Sequence, residues 1–191
     1  GPCRMGQYSV YMKSLVKKRN IKNVAFLSLS SENGYAGLGK KFTIRTWYAI
    51  NISDMLEDIY SSLLVLAGDK TEAMNVYNKV CKDIERSVQY DTDKDLKKVL
   101  ENAVQELEKV KKAKSLEDVP KVTLTGEVYV RRDDFSRQWI VDKLAQKGIV
   151  TRTSPLAEFI YYTDYLVKSG KSECSGFKEK LGTYISGYFK R

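Results

Sequence analysis

The sequence predicts an α/β fold: a Rossmann- or flavodoxin-like parallel sheet flanked by helices, with a mainly helical insertion in the middle. Three observations lead there. Residues 24–29, 122–130 and 148–153 are short apolar or β-branched runs with the length of strands. Stretches with apolar residues three and four apart alternate with those runs, which is how parallel sheets are built. Between about residues 69 and 119 only the helical spacing occurs. The chain therefore divides into an α/β part at 1–68, a helical insertion at 69–119 and a βαβ part at 120–191. Its 191 residues suffice for one domain or two small ones.

In chain order, residues 8–19 predict a helix with Val10, Tyr11, Leu15 and Val16 on its apolar side. Lys17, Lys18 and Arg19 stand at its carboxyl end, where cations suit the helix dipole. Residues 24–29 follow as a buried strand and residues 30–39 as a glycine-bearing loop. Ile52, Ser53 and Asp54 read as the cap of a helix carrying Leu56, Ile59, Tyr60, Leu63 and Leu64, ended by Gly68. Residues 71–89 and 93–114 each carry one narrow apolar stripe and predict an antiparallel helical pair. Pro120 marks the return to strand at 122–130. A helix bearing Phe135, Trp139, Ile140, Leu144 and Ala145 comes next, then a strand at 148–153 and a helix opened by Pro155. Together these make a right-handed βαβ unit. Residues 177–191 predict a last helix, with Tyr184, Tyr188 and Phe189 toward the body.

Charge is concentrated at one end. The chain has 33 Lys+Arg against 24 Asp+Glu, a net +9. Residues 1–45 hold nine of the bases and one acid, Glu32, so +8 lies there and +1 on the other 146 residues. A local basic face suits a phosphate-bearing ligand, an acidic protein partner or nucleic acid; a solvated lysine-rich helix face is the other reading, and both stay open. The thirteen tyrosines fall mainly on apolar helix faces and do not interleave with bases, which argues against nucleic acid.

The absence of histidine excludes catalysis that needs an imidazole from within these residues. Cys3, Cys81 and Cys174 are odd in number with no CxxC pair, which points to a reducing compartment, hence the cytoplasm. No run approaches the roughly 18 apolar residues of a membrane span, so no membrane partner is expected. The start at Gly1-Pro2-Cys3 lacks a methionine and predicts a processed, tagged or excised chain.

Two segments could carry chemistry. Gly34 to Lys40 has the GxxxxGK spacing of a phosphate-cradling loop, but Lys41 stands where Ser or Thr must hold magnesium, and residues 30–33 separate it from the preceding strand. A nucleotide triphosphatase loop is therefore not expected. What remains is a turn needing glycine, or a loop in which Gly37, Gly39 and Lys40 bind an anion through backbone N–H groups and charge. The second segment is residues 126–133. Arg131, Arg132 and Asp133 stand at the carboxyl end of the expected strand, the edge at which open α/β sheets bind ligands. Glu127 falls inside that strand, where a carboxylate is costly unless it pairs with an arginine or serves a ligand. Cys81 lies on a helical apolar stripe and reads as core, and Cys174 as a bystander.

Gly1-Pro-Cys-Arg-Met-Gly-Gln-Tyr8, Asn33-Gly-Tyr-Ala-Gly-Leu-Gly39 and above all Gly126-Glu-Val-Tyr-Val-Arg131, followed by Asp134-Phe135, resemble CoA-substrate-specific enzyme activases of the 2-hydroxyacyl-CoA dehydratase and activase superfamily. The resemblance covers both ends and most α/β portions, and the helical middle only in general character. It implies a fragment of a larger protein concerned with ATP-driven electron transfer through iron–sulfur clusters to a 2-hydroxyacyl-CoA. It implies Cys3 as a ligand of a 4Fe-4S cluster in the full-length protein, Glu127 with Arg131 as a ligand-facing pair, and a CoA thioester among the possible partners. In that family another cysteine precedes the Gly-Pro-Cys-Arg segment; here the sequence starts at Gly1, which leaves the ligand set incomplete. The actin-like ATP site of the family is absent from this sequence, so no ATPase activity is expected of it. The expected role is a contribution to a cluster or CoA site, or the docking of partner domains, without catalysis by this chain alone. The alternative is a scaffold module whose basic face binds an acidic partner.

Overall fold

The computed structural model describes residues 5–26 and 39–171. The chain divides into two compact units, Gly1–Thr46 and Trp47–Arg191. The first holds helix α1 (Met5–Lys18) and the start of helix α2 (Gly39–Leu66). Asn20 ends α1 in the left-handed conformation (φ 51°), and the Ile21 amide returns to the Val16 carbonyl at 3.1 Å. The expected apolar side of α1 is not buried as a whole, since Val10 and Tyr11 are exposed. Residues 24–26 are exposed and irregular rather than strand, and the rest of that expected strand, residues 27–29, lies outside the described residues.

The second unit takes up α2 and continues with α3 (Lys70–Tyr90), α4 (Asp93–Glu108), β1 (Lys121–Leu124), α5 (Val128–Arg132), α6 (Ile140–Gln146), β2 (Val150–Thr153) and α7 (Leu156–Lys168). The Asp69 side chain caps α3 by accepting from the Glu72 amide at 3.0 Å, and Thr92 caps α4 by accepting from the Asp95 amide at 3.3 Å. The two helices pack as the expected hairpin against α2, burying Val80, Ile84, Leu96 and Ala103 with Ile52. α4 stops at Glu108, short of the expected 114. From there the chain turns back, and a bridge between Ala67 and Lys112 ties it to the end of α2. A second cluster joins Leu63 and Ala67 to Ala73 and Val110. A third joins Val65 and Leu66 to Val119, Ala145 and Val150. α2 thus contributes to all three clusters; truncating a wholly buried member such as Val80 to alanine should cost about 1–3 kcal/mol.

β1 and β2 pair in parallel, with Lys121 opposite Val150 and Leu124 opposite Thr153. The unit is therefore mixed α/β, predominantly helical, with a two-stranded parallel sheet among the described residues. α2 runs along the outer edge of β2: the buried Ser61 hydroxyl accepts from the Thr151 amide at 2.7 Å. No helix among the described residues is long and apolar enough to cross a membrane.

Three expectations change for identifiable reasons. α2 starts at Gly39, so Ile52, Ser53 and Asp54 lie inside a helix rather than at its cap. The predicted strand at 122–130 ends at Leu124. There Gly126 takes φ 137° and the Glu127 carboxylate caps a new helix by accepting from the Val130 amide at 2.9 Å. Finally, the helix expected from Phe135 begins only at Ile140, because Gln138 and Trp139 both adopt the left-handed conformation. The last helix expected at 177–191 lies outside the described residues.

Candidate functional site

The carboxyl ends of both strands, where β1 leads into α5 and β2 into α7, meet the middle of α2. Asp54, Glu57 and Asp58 stand three and four residues apart on α2, a spacing that shares one helix face. Each faces an arginine. The Arg132 guanidinium pairs with Asp54, whose two oxygens also accept from the Leu156 and Ala157 amides at 2.9 Å each. Arg137 is nearly buried; it reaches Glu57 at 2.6 Å, binds Asp134 through Nε at 2.8 Å, and donates to the Arg131 carbonyl at 3.1 Å. Thr153 also faces Glu57, at 3.5 Å. Arg152 lies 3.6 Å from Asp58 and is largely exposed. Burial pushes the Asp58 carboxyl above its ordinary value, against the lowering pull of Arg152 and Arg132.

Arg131 differs from the other three. Its guanidinium bridges the two strand ends, donating to the Gly126 carbonyl beyond β1 at 3.0 Å and to the Pro155 carbonyl beyond β2 at 3.2 Å. Carbonyls satisfy hydrogen bonds but carry no charge, and among the described residues no carboxylate lies within ion-pair distance of Arg131. Its Nε has no hydrogen-bond partner. Beside it lies a concavity of about 310 Å³, bordered by Leu124, Thr125, Glu127, Val130, Arg131 and Lys143 among others. Lys143, too, has no acidic partner among the described residues.

Glu127 and Arg131 therefore border one concavity, although not from a strand: both belong to the cap and body of α5. Glu127 is exposed, which removes the desolvation cost expected of a carboxylate inside a strand. Arg131, Arg132 and Asp133 close a short helix instead of a strand, yet α5 brings them to the carboxyl edge of the sheet all the same. Gly39 and Lys40 are the first residues of α2 and exposed, in the first compact unit. Gly37 and Cys3 lie outside the described residues.

Sequence reasoning missed the acids of α2 and the two bases Arg137 and Lys143. The 54, 57, 58 spacing was the available signal for the acids, since it sets three carboxylates beside an apolar helical stripe. Among the described residues, no group of three or more Cys, Asp or Glu side chains is arranged to hold a metal ion. Cys81 is half-buried, and burial pushes its thiol above the ordinary value, the opposite of what a thiolate ligand needs. No protein family, curated protein or solved structure matches the chain.

Proposed function

We propose that residues 47–191 form a ligand-binding domain of a protein of the 2-hydroxyacyl-CoA dehydratase and activase kind. The concavity at the strand ends takes an anionic group of a CoA thioester, and the chemistry is performed by other parts of the parent protein. Arg131 carries this reading. It is the arginine of the cluster with no carboxylate of a described residue within ion-pair distance, and it borders, together with Glu127, a concavity at the sheet edge where α/β folds bind ligands. A charge-assisted hydrogen bond in such a place contributes about 1.5–3 kcal/mol. Lys143 adds a second positive charge at the rim.

The finer fold, a Rossmann- or flavodoxin-like sheet, belongs to the same proposal and is supported by the parallel pairing of β1 and β2 across α5 and α6. A 4Fe-4S cluster stays an attribute of the parent protein. Such clusters need several thiolates, and Cys81 is the one cysteine among the described residues. A cytoplasmic location and docking onto other domains of the parent complete the reading.

A second reading, a scaffold module whose basic face binds an acidic partner, is favoured by α1, where Lys13, Lys17 and Lys18 are exposed. Calorimetric titration with CoA at low and high salt separates the two. Heat at low salt that fades at high salt supports the ligand-binding domain; no heat at low salt supports the scaffold.

A further inference from the structure

The two strands differ at their outer edges. The Pro120 carbonyl accepts from Val150 at 3.0 Å and the Leu124 carbonyl from Ser154 at 2.9 Å, so the even-numbered residues of β1 turn toward β2. By strand alternation, Lys121 and Thr123 turn their amides and carbonyls outward. On β2 the corresponding outward amide, that of Thr151, is taken by the Ser61 hydroxyl of α2 at 2.7 Å. On β1 no described residue takes the outward groups. Burial follows the same asymmetry: Val150, Thr151 and Thr153 are buried, whereas Lys121, Val122 and Thr123 are exposed. A parallel pair with one open edge is a marginal sheet, and parallel sheets are ordinarily continued and covered.

We propose that the outer edge of β1 is a docking edge for an extended, acid-bearing strand of a partner polypeptide, which continues the sheet through backbone hydrogen bonds. Strand addition of this kind draws affinity from main-chain pairing and specificity from alternate side chains. Charge selects the occupant. Residues 109–121, which lead into and begin β1, carry five lysines against Glu117 and Asp118, and none of the five is in an ion pair with a described residue. Arg152, opposite Thr123 in the register, has a side chain 71% exposed that pairs loosely with Asp58, at 3.6 Å. A second copy of the chain is disfavoured as occupant, because pairing β1 with itself brings two lysine-rich segments together in a chain of net charge +9. Lys121 on the edge also resists unselective pairing with apolar strands.

The test uses the full chain and a labelled peptide alternating glutamate with valine, followed by fluorescence polarisation. Thr123→Pro removes one outward amide and leaves the Val122 pairing to β2 in place; Lys121→Glu reverses the edge charge without touching the core. The peptide should bind the parent chain, and each variant should bind at least about tenfold more weakly. Added salt should weaken binding to the parent. Thermal unfolding establishes that Thr123→Pro is folded, and Lys121→Glu carries the comparison if it is not. Equal binding by parent and variants, no binding by the parent, or a dimer in sedimentation that Thr123→Pro dissolves would each overturn the proposal.

Discussion

Asp54, in the middle of α2, holds the Arg132 guanidinium and at the same time caps α7, its two oxygens 2.9 Å from the Leu156 and Ala157 amides. One carboxylate thus fastens three elements: α2, the end of α5 and the start of α7. Asp54→Ala leaves a largely buried guanidinium unpaired and a helix uncapped, and should destabilise the chain by about 2–4 kcal/mol. Urea unfolding monitored by circular dichroism measures it, and a loss below about 0.5 kcal/mol would count against this fastening role.

Ser61 offers a cleaner probe of the sheet edge. Its hydroxyl is the acceptor for the Thr151 amide, deep between α2 and β2. Ser61→Ala orphans a buried N–H with almost no change in volume, at an expected cost of about 1–3 kcal/mol. Hydrogen exchange at Thr151 should accelerate in the variant. Unchanged exchange would mean that β2 is not closed by α2.

Asp58 makes stability depend on pH. Its carboxyl lies above the ordinary 3.8 because of burial, with Arg152 and Arg132 pulling the other way. The folded chain therefore keeps this proton to higher pH than the unfolded chain. Stability is full below the ordinary value and is lost as pH rises toward the folded value. Asp58→Asn cannot ionise, so its urea midpoint should gain on the parent's as pH rises from below the ordinary value of 3.8. A difference independent of pH would contradict the assignment.

Gln138 and Trp139 sit consecutively in the left-handed region, at φ 54° and 53°. Side chains there cost roughly 1–2 kcal/mol each, which glycine avoids at some cost in unfolded-state entropy. Gln138→Gly should stabilise by about 0.5–1 kcal/mol in thermal or urea unfolding. A destabilisation would mean that the Gln138 side chain contributes contacts worth more than the backbone strain.

The helical middle was legible in the sequence because its apolar residues recur at one period and its caps, Asp69 and Thr92, are ordinary capping residues. The parallel pairing was legible too, through the β-branched residues at 122–123 and 150–153. The turn at Gly126 was not: Glu127, Val128, Tyr129 and Val130 continue an alternating pattern, and only a carboxylate folded back onto the Val130 amide converts it to helix. Asp54 misled for a related reason. It is a capping residue by type, but the helix it caps is α7, 102 residues away in sequence, and no local pattern carries that pairing. The sequence marks Arg131 as an arginine at a strand end, whereas what distinguishes it from Arg132 and Arg137 is that no acid among the described residues lies within ion-pair distance of it, which only the fold reveals.

Among the described residues, no carboxylate meets Arg131 within ion-pair distance, and its positive charge stands beside the concavity at the strand ends. Isothermal titration with CoA at low salt measures what that charge contributes, using the parent chain, Arg131→Met and, as a control for surface charge, Lys97→Met on the exposed face of α4. The parent and Lys97→Met should bind alike, and Arg131→Met, verified as folded by circular dichroism, should bind about 10- to 100-fold more weakly. No heat with the parent chain, or equal affinity in a folded Arg131→Met, would contradict it.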